Sequence, residues 1–172
     1  MSAESRRGSL REYQLALSER LQGAGTATRP ASKLGLQVGG EAWLVDLREA
    51  GEIVPPPAIS PVPLARPWFK GVANVRGNLY SVTDFSAFLG GPSTGPGELS
   101  RLLLINDRFR SGAALLIERS LGLRDPAELE RRGEAAHPSF VRATFTDAGG
   151  KLWKELDVPA LVEDPAFLEA SL

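Results

Sequence analysis

From residue 33 onward the chain is cut by glycine and proline into short apolar segments, and that punctuation does most to limit what it can fold into. With 18 glycines and 13 prolines among 172 residues there is room for short strands and single-turn helices, and little for a long helix. Leu34, Leu36 and Val38 alternate with Gly35 and Gln37, and Gly39 and Gly40 permit a tight turn into the W-L-V-D-L run of residues 43–47, so the first pair reads as a hairpin. Ile53 and Val54 follow. Residues 55–67 are proline-rich, and because proline lacks the N–H that a central strand needs, they read as extended and edge-like. Residues 72–75 and 79–82 flank Arg76, Gly77 and Asn78, where Gly and Asn readily take positive φ, which predicts a second hairpin. Asp84 is placed to cap a short helix that Gly90 and Gly91 end.

After the Gly/Pro loop of residues 90–97 the texture repeats. Residues 102–105 and 113–118 read as buried strands, joined around residues 106–112. Asp125, Pro126 and Glu128 supply an N-cap, a first-turn proline and an N3 acid, predicting a helix to about Arg132 that stops at Gly133. Residues 141–145 and 152–156 should pair across Gly149 and Gly150, and Asp164 and Pro165 begin a last helix carrying Phe167 and Leu168. Eight or more closely spaced strands with three or four short helices favour barrels over a sandwich with helical layers. Ahead of this domain, Ser9 and Glu12 form an S-x-x-E capping box, and Leu10, Tyr13, Leu17 and Leu21 make an apolar stripe on a helix over residues 10–22. A flexible Gly/Ala/Thr linker follows, so residues 1–32 are expected to be helix plus linker and residues 33–172 the domain.

Composition narrows the chemistry. No cysteine and one histidine, His137, exclude disulfides, thiolate nucleophiles and the sulfur-ligated zinc and iron sites, and no cofactor is expected. His137 sits before a proline in a loop and is assigned no function. The N-terminus interrupts any signal-like apolar core with Glu4, Arg6, Arg7 and Arg11, and no later run reaches membrane-span length, so a cytosolic chain without membrane insertion is expected. Twenty-one acids against 20 bases leave no field to draw it onto nucleic acid.

The most distinctive stretch is W-F-K-G-V-A-N-V-R-G, Trp68 through Gly77, followed by Asp84 and Phe85 and preceded upstream by Glu52 and Ile53. It resembles the signature of the CheW family of chemotaxis coupling proteins, and the resemblance runs through R-L-L-L-I and S-G-A-A-L-L-I-E-R-S-L-G-L to the C-terminal hairpin. Within the family the likeness is greatest to the branch serving type IV pilus twitching motility. It rests on the helical N-terminal extension, the wording W-x-K-G-V-A-N-V-R-G and the ending D-P-A-F-L-E-A. The sequence departs from the family where Ser81, Val82, Thr83 and Asp84 replace Pro-Val-x-Asp, and at Pro55, Pro56 and Pro57, so partner choice is expected to differ if these segments border a partner surface. The resemblance implies a mainly β fold of two intertwined five-stranded SH3-like barrels with short helices and no active site. It also implies two partners: the regulatory domain of a CheA-type histidine kinase, met barrel to barrel, and the cytoplasmic hairpin tip of a chemoreceptor, held in a groove between the barrels. The chain would then act as an adaptor at membrane-associated receptor arrays, with flagellar chemotaxis as the alternative output, and would transfer no phosphoryl group itself.

The residues singled out are Glu52, Ile53, Trp68, Gly71, Asn74, Arg76, Gly77 and Asp84. Gly71 and Gly77 suit a turn or a close backbone approach, and Asn74 suits a bond to neighbouring backbone. The five-donor fork of Arg76 suits a carboxylate, with Glu52 the candidate across the fold, a pair that would hold the Ile53 strand beside the receptor groove. Trp68 and Phe69, beside prolines and Lys70, are interface or core aromatics, whereas Trp43 and Trp153 read as core. Two rival classes stand beside the adaptor. One is an acid–base hydrolase using a pair among Asp46, Glu52 and Asp84, and the other a ligand- or oligonucleotide-binding barrel.

Overall fold

The computed structural model describes residues 32–134 and 138–171. The expected helix over residues 10–22, its linker and His137 lie outside the described residues.

Among the described residues the Gly/Pro punctuation produces twelve strands: β1 (Lys33–Val38), β2 (Glu41–Asp46), β3 (Ala50–Val54), β4 (Ile59–Ser60), β5 (Phe69–Val75), β6 (Asn78–Asp84), β7 (Arg101–Ile105), β8 (Ala113–Ile117), β9 (Arg119–Arg124), β10 (Glu130–Gly133), β11 (Val141–Thr146) and β12 (Leu152–Leu156). Three short helices accompany them, α1 (Phe85–Phe88), α2 (Val158–Glu163) and α3 (Pro165–Leu168). The strands form two six-stranded sheets, in the orders β10-β11-β12-β2-β1-β9 and β3-β7-β8-β6-β5-β4. The chain leaves the first sheet after β2, builds the whole second sheet, and returns along β1 as β9. The proline-rich segment supplies only β4, the outermost strand of the second sheet, as the missing N–H groups require.

Two expectations are corrected. The sheets have six strands each, not five. The helix expected from Pro126 to Arg132 is a single 3-10 turn over Pro126–Glu128, after which Leu129 is extended and Glu130–Gly133 pairs antiparallel with β11. Asp125 does cap that turn through Ala127 N–H, but the large apolar side chain that follows, Leu129, packs on the third core cluster from extended backbone. The segment's residues are better satisfied by the open edge of β11 than by a second helical turn. Strand β9 and helix α2, the latter capped by Asp157, lie outside the elements that the sequence pattern predicts.

β8 is buried on both faces. Ala113, Leu115 and Ile117 join the main core cluster with Leu36, Trp43, Phe85, Leu156 and Leu161, while Ala114 and Leu116 face a second cluster with Ala73, Tyr80, Val82 and Leu102. The expected core tryptophans are both 1% exposed, Trp43 edge-on to Phe85 at 5.2 Å and Trp153 in a third cluster with Ala42 and Leu44. A charged chain crosses the same region. Arg142 on β11 binds Glu49 at 2.6 Å and Asp157 at 3.2 Å, and lies 3.7 Å from Glu155, which also pairs with Lys33. Glu49 accepts from Val158 N–H as well, so the β2–β3 turn is tied to the start of α2.

Candidate functional site

The distinctive W-F-K-G-V-A-N-V-R-G stretch is strand β5 and its turn into β6. Arg76 and Gly77 occupy the two turn positions, both at positive φ (51° and 89°), the geometry whose twist matches paired strands. Arg76 and not Asn78 therefore takes the left-handed backbone that the sequence had suggested for Gly and Asn. Asn74 fixes the turn by accepting a hydrogen bond from Gly77 N–H at 2.9 Å. The Arg76 guanidinium then reaches Glu52 on β3 with both ends of its fork, Nη1 to Oε2 at 2.5 Å and Nη2 to Oε1 at 2.6 Å. This is the pairing expected from the residue types, and it raises the guanidinium pKa through the bonds to Glu52. The pair is open to solvent, with Arg76 71% and Glu52 45% exposed, so screening leaves it little weight in folding. Beside it Ile53 is half-buried against the main core.

The other singled-out residues turn inward. Gly71 lies at φ 126°, and a β-carbon there would sit 2.0 Å from the carbonyl oxygen of Ser60, so the glycine exists for the close approach of β4. Trp68 is half-buried, its ring edge-on to Phe88 at 5.1 Å and to Phe69 at 6.4 Å. Asp84 is fully buried. Its carboxylate caps α1 through Ala87 N–H, accepts from Ser93 Oγ (2.8 Å), Thr94 N–H (2.7 Å) and Thr94 Oγ1 (2.9 Å), and has Lys70 Nζ at 3.5 Å. A partner cannot touch it, and its work is to pin the 90–97 loop onto the second sheet.

Asp46, Glu52 and Asp84 are held on separate partners: Arg48, Arg76, and the Ser93–Thr94 loop with Lys70. They do not share hydrogen-bond partners, as a two-carboxylate centre would. The side-chain bonds of Arg48 lower the Asp46 pKa to about 2, against desolvation that raises it. Because the folded-state value is depressed, this contribution to stability is complete above about pH 4 and is lost as pH falls towards 2. Thermal midpoints measured between pH 6 and pH 2 should show the wild type losing about 1–2 kcal/mol more than Asp46→Asn over that window, after allowance for the exposed arginine.

Two clefts lie near the signature hairpin. One, of about 540 Å³, runs between the proline-rich segment (Pro56, Pro57, Pro61) and Pro96, with Lys70 at its wall. The other, of about 650 Å³, opens on the face of β6 and β8 turned towards the main core (Ser81, Thr83, Ala113). It is walled on its far side by Pro159, Val162, Phe167 and Leu168 of α2 and α3. The turn carrying Arg108, Phe109 and Arg110 also lines it. None of the eight residues singled out from the sequence lines this second cleft, although Phe69 does. The R-F-R-S-G wording of residues 108–112 is the sequence signal that lies in this cleft.

A family described as CheW-like domain matches residues 33–166. Protein PilI of Pseudomonas aeruginosa is 27% identical over 151 residues, 85% of this chain and 83% of that protein. Among solved structures, the crystal structure of the scaffolding protein TtCheW from Thermoanaerobacter tengcongensis superposes with a TM-score of 0.65 at 19% identity. That match covers 80% of this chain and 95% of the other and establishes the likeness of fold.

Proposed function

Because the chain belongs to the CheW-like domain family of non-catalytic scaffolds, we propose that it couples a chemoreceptor to a CheA-type histidine kinase, in the chemosensory system that drives type IV pilus twitching motility. The observation that carries the reading is the exposed Arg76–Glu52 pair. Most of the signature serves the fold, whereas this pair is held out on a turn that Asn74 stiffens, where it adds little to stability. A planar, bidentate pair on a rigid hairpin presents fixed charge to a docking surface at small entropic cost. The kinase regulatory domain would meet this surface, and the receptor tip would lie in a neighbouring groove. The relation to PilI supports the pilus output over the flagellar one. The adaptor works in the cytoplasm at receptor arrays, and no helix of the described residues is long and apolar enough to cross a membrane. The near-balance of acids and bases speaks against nucleic acid as a partner.

Co-purification of the full chain with the cell's CheA-type kinases and receptor tips tests the reading. The wild type should retain a kinase, and Arg76→Ala should retain about tenfold less at an unchanged thermal midpoint, since the pair is exposed. A wild-type chain that retains no kinase would remove the adaptor reading. Loss of twitching with normal swimming in a deletion strain is the outcome expected of the pilus assignment, and the reverse would shift it to flagella.

A further inference from the structure

We propose that the 540 Å³ cleft between the proline-rich segment and the 93–97 loop is a binding site for a small aromatic carboxylate, whose ring packs among Pro56, Pro57, Pro61 and Pro96 and whose carboxylate meets the Lys70 ammonium. The chain thereby binds a small ligand directly, an activity separate from coupling a receptor to a kinase.

Both walls of this cleft are pinned, so its shape exists before a ligand arrives. The proline wall rides on β4, which lies against β5 because residue 71 is glycine: a β-carbon there would overlap the Ser60 carbonyl. The facing wall is fixed at two points. Asp84 holds Thr94 by its N–H (2.7 Å) and its hydroxyl (2.9 Å), and Ser100, 5% exposed, donates to the Gly97 carbonyl at 2.7 Å. Ile59 and Leu116, which belong to the second core cluster, complete the apolar lining. Several hundred Å³ bounded mostly by apolar groups with a few polar ones is the usual form of a small-molecule site, and walls already in place need no ordering on binding. Lys70, Gly71 and Asp84, in or just after the W-F-K-G-V-A-N-V-R-G stretch, therefore shape one cavity.

The lining sets the class of ligand. The Lys70 ammonium has three N–H bonds, and among the described residues it gives one hydrogen bond, to Ser93 Oγ at 2.8 Å. Asp84 stands 3.5 Å away, but its carboxylate already accepts four hydrogen bonds, from Ala87 N–H, Ser93 Oγ and both donors of Thr94, and is satisfied without the ammonium. Lys70 keeps 30% of its side chain exposed, and the lining among the described residues holds no Asp or Glu. An incoming carboxylate thus meets a cation with no anion beside it in the wall. The rest of the ligand is set by four rigid proline rings, whose C–H groups turn partial positive charge towards the negative face of an aromatic ring. Pro56 and Pro57 stand where the sequence departs from the CheW pattern, which ties the ring-binding wall to this chain's own sequence.

The test titrates the full chain with phenylacetate, its neutral counterpart phenylacetamide, and acetate, following the backbone amides of Thr94, Gly95 and Gly97 by nuclear magnetic resonance. Phenylacetate should saturate the wild type with a dissociation constant of roughly 0.1–1 mM and bind at least about tenfold more tightly than the amide, while acetate, which lacks the ring, should not saturate in that range. Lys70→Met should weaken phenylacetate about tenfold and leave phenylacetamide unchanged, and Lys70→Arg should restore part of the preference for the acid. Pro56→Ser with Pro57→Ser should weaken acid and amide equally, about fivefold, with a thermal midpoint within about 2 °C of wild type. If Lys70→Met lowers the thermal midpoint, the acid–amide comparison on the wild type and the proline variant decide. No saturable binding of phenylacetate, equal affinity of the wild type for acid and amide, or unchanged binding in the proline variant would overturn the inference and leave the receptor–kinase coupling reading standing.

Discussion

Gly71→Ala should lower stability by about 3–5 kcal/mol, the sum of a strained backbone and a forced separation of two strands. At φ 126° alanine is already unfavourable, and its methyl group would overlap the Ser60 carbonyl, with Pro61 Cα only 2.9 Å away. The neighbour is backbone, which cannot swing aside as a side-chain end could. Relief requires β4 to leave β5, exposing the proline-rich segment and the Ile59 side of the second core cluster. For a chain of this size each kcal/mol moves the thermal midpoint by about 2–4 °C, so a drop of roughly 10 °C is expected by circular dichroism, with faster proteolysis around residues 55–67. A midpoint within about 2 °C of wild type would contradict the close approach of β4 and β5.

Asp84→Ala should be comparably damaging, at about 3–4 kcal/mol, because it strands donors in a place water does not reach. Thr94 is buried and directs both its N–H and its hydroxyl at the carboxylate, Ser93 adds a third donor, and Lys70 Nζ loses the negative charge nearest to it. Asp84→Asn keeps the volume and one strong acceptor, so it should recover part of the loss. Hydrogen exchange separates a local from a global effect, since the Thr94 amide should lose protection in both variants while amides of β8 keep theirs in Asp84→Asn. If Asp84→Ala retains wild-type stability and Thr94 protection, the latch has no energetic role.

These two positions show how the signature divides. Gly71, Asn74, Gly77 and Asp84 specify a close approach, a turn bond, a left-handed turn position and a buried latch. They are visible in sequence because each such job admits few residue types. Arg76 and Glu52 could be matched by chemistry alone, a fork donor and a carboxylate, and the side chains do meet. The cleft was not legible in the same way. Phe69, Phe109, Phe167 and Arg110 are far apart in the chain and belong to a strand, a 3-10 turn and a terminal helix, and nothing local in any of them announces a shared wall. Leu64 carries no signal in sequence, because what sets it apart is a dihedral angle and an exposure.

The segment from Asp125 to Gly133 marks the boundary between the two kinds of information. Its caps and proline wrote a helix start correctly, but the start was followed by E-R-R-G, with no apolar stripe to pack, and the unfilled edge of β11 took those residues as a strand. Local side-chain chemistry by itself determined the hairpins, the caps, the two buried tryptophans, the edge position of the proline-rich segment and the meeting of Arg76 with Glu52. Only the tertiary structure decided that each sheet has six strands, that the second sheet is built between β2 and β9, and that Arg108 and Arg110 share one cleft with Phe69 and the C-terminal helices. Strand partners, sheet edges and cleft walls are set by long-range pairing and by which edge remains open once the core has closed, and those quantities belong to the assembled chain and to no segment of it.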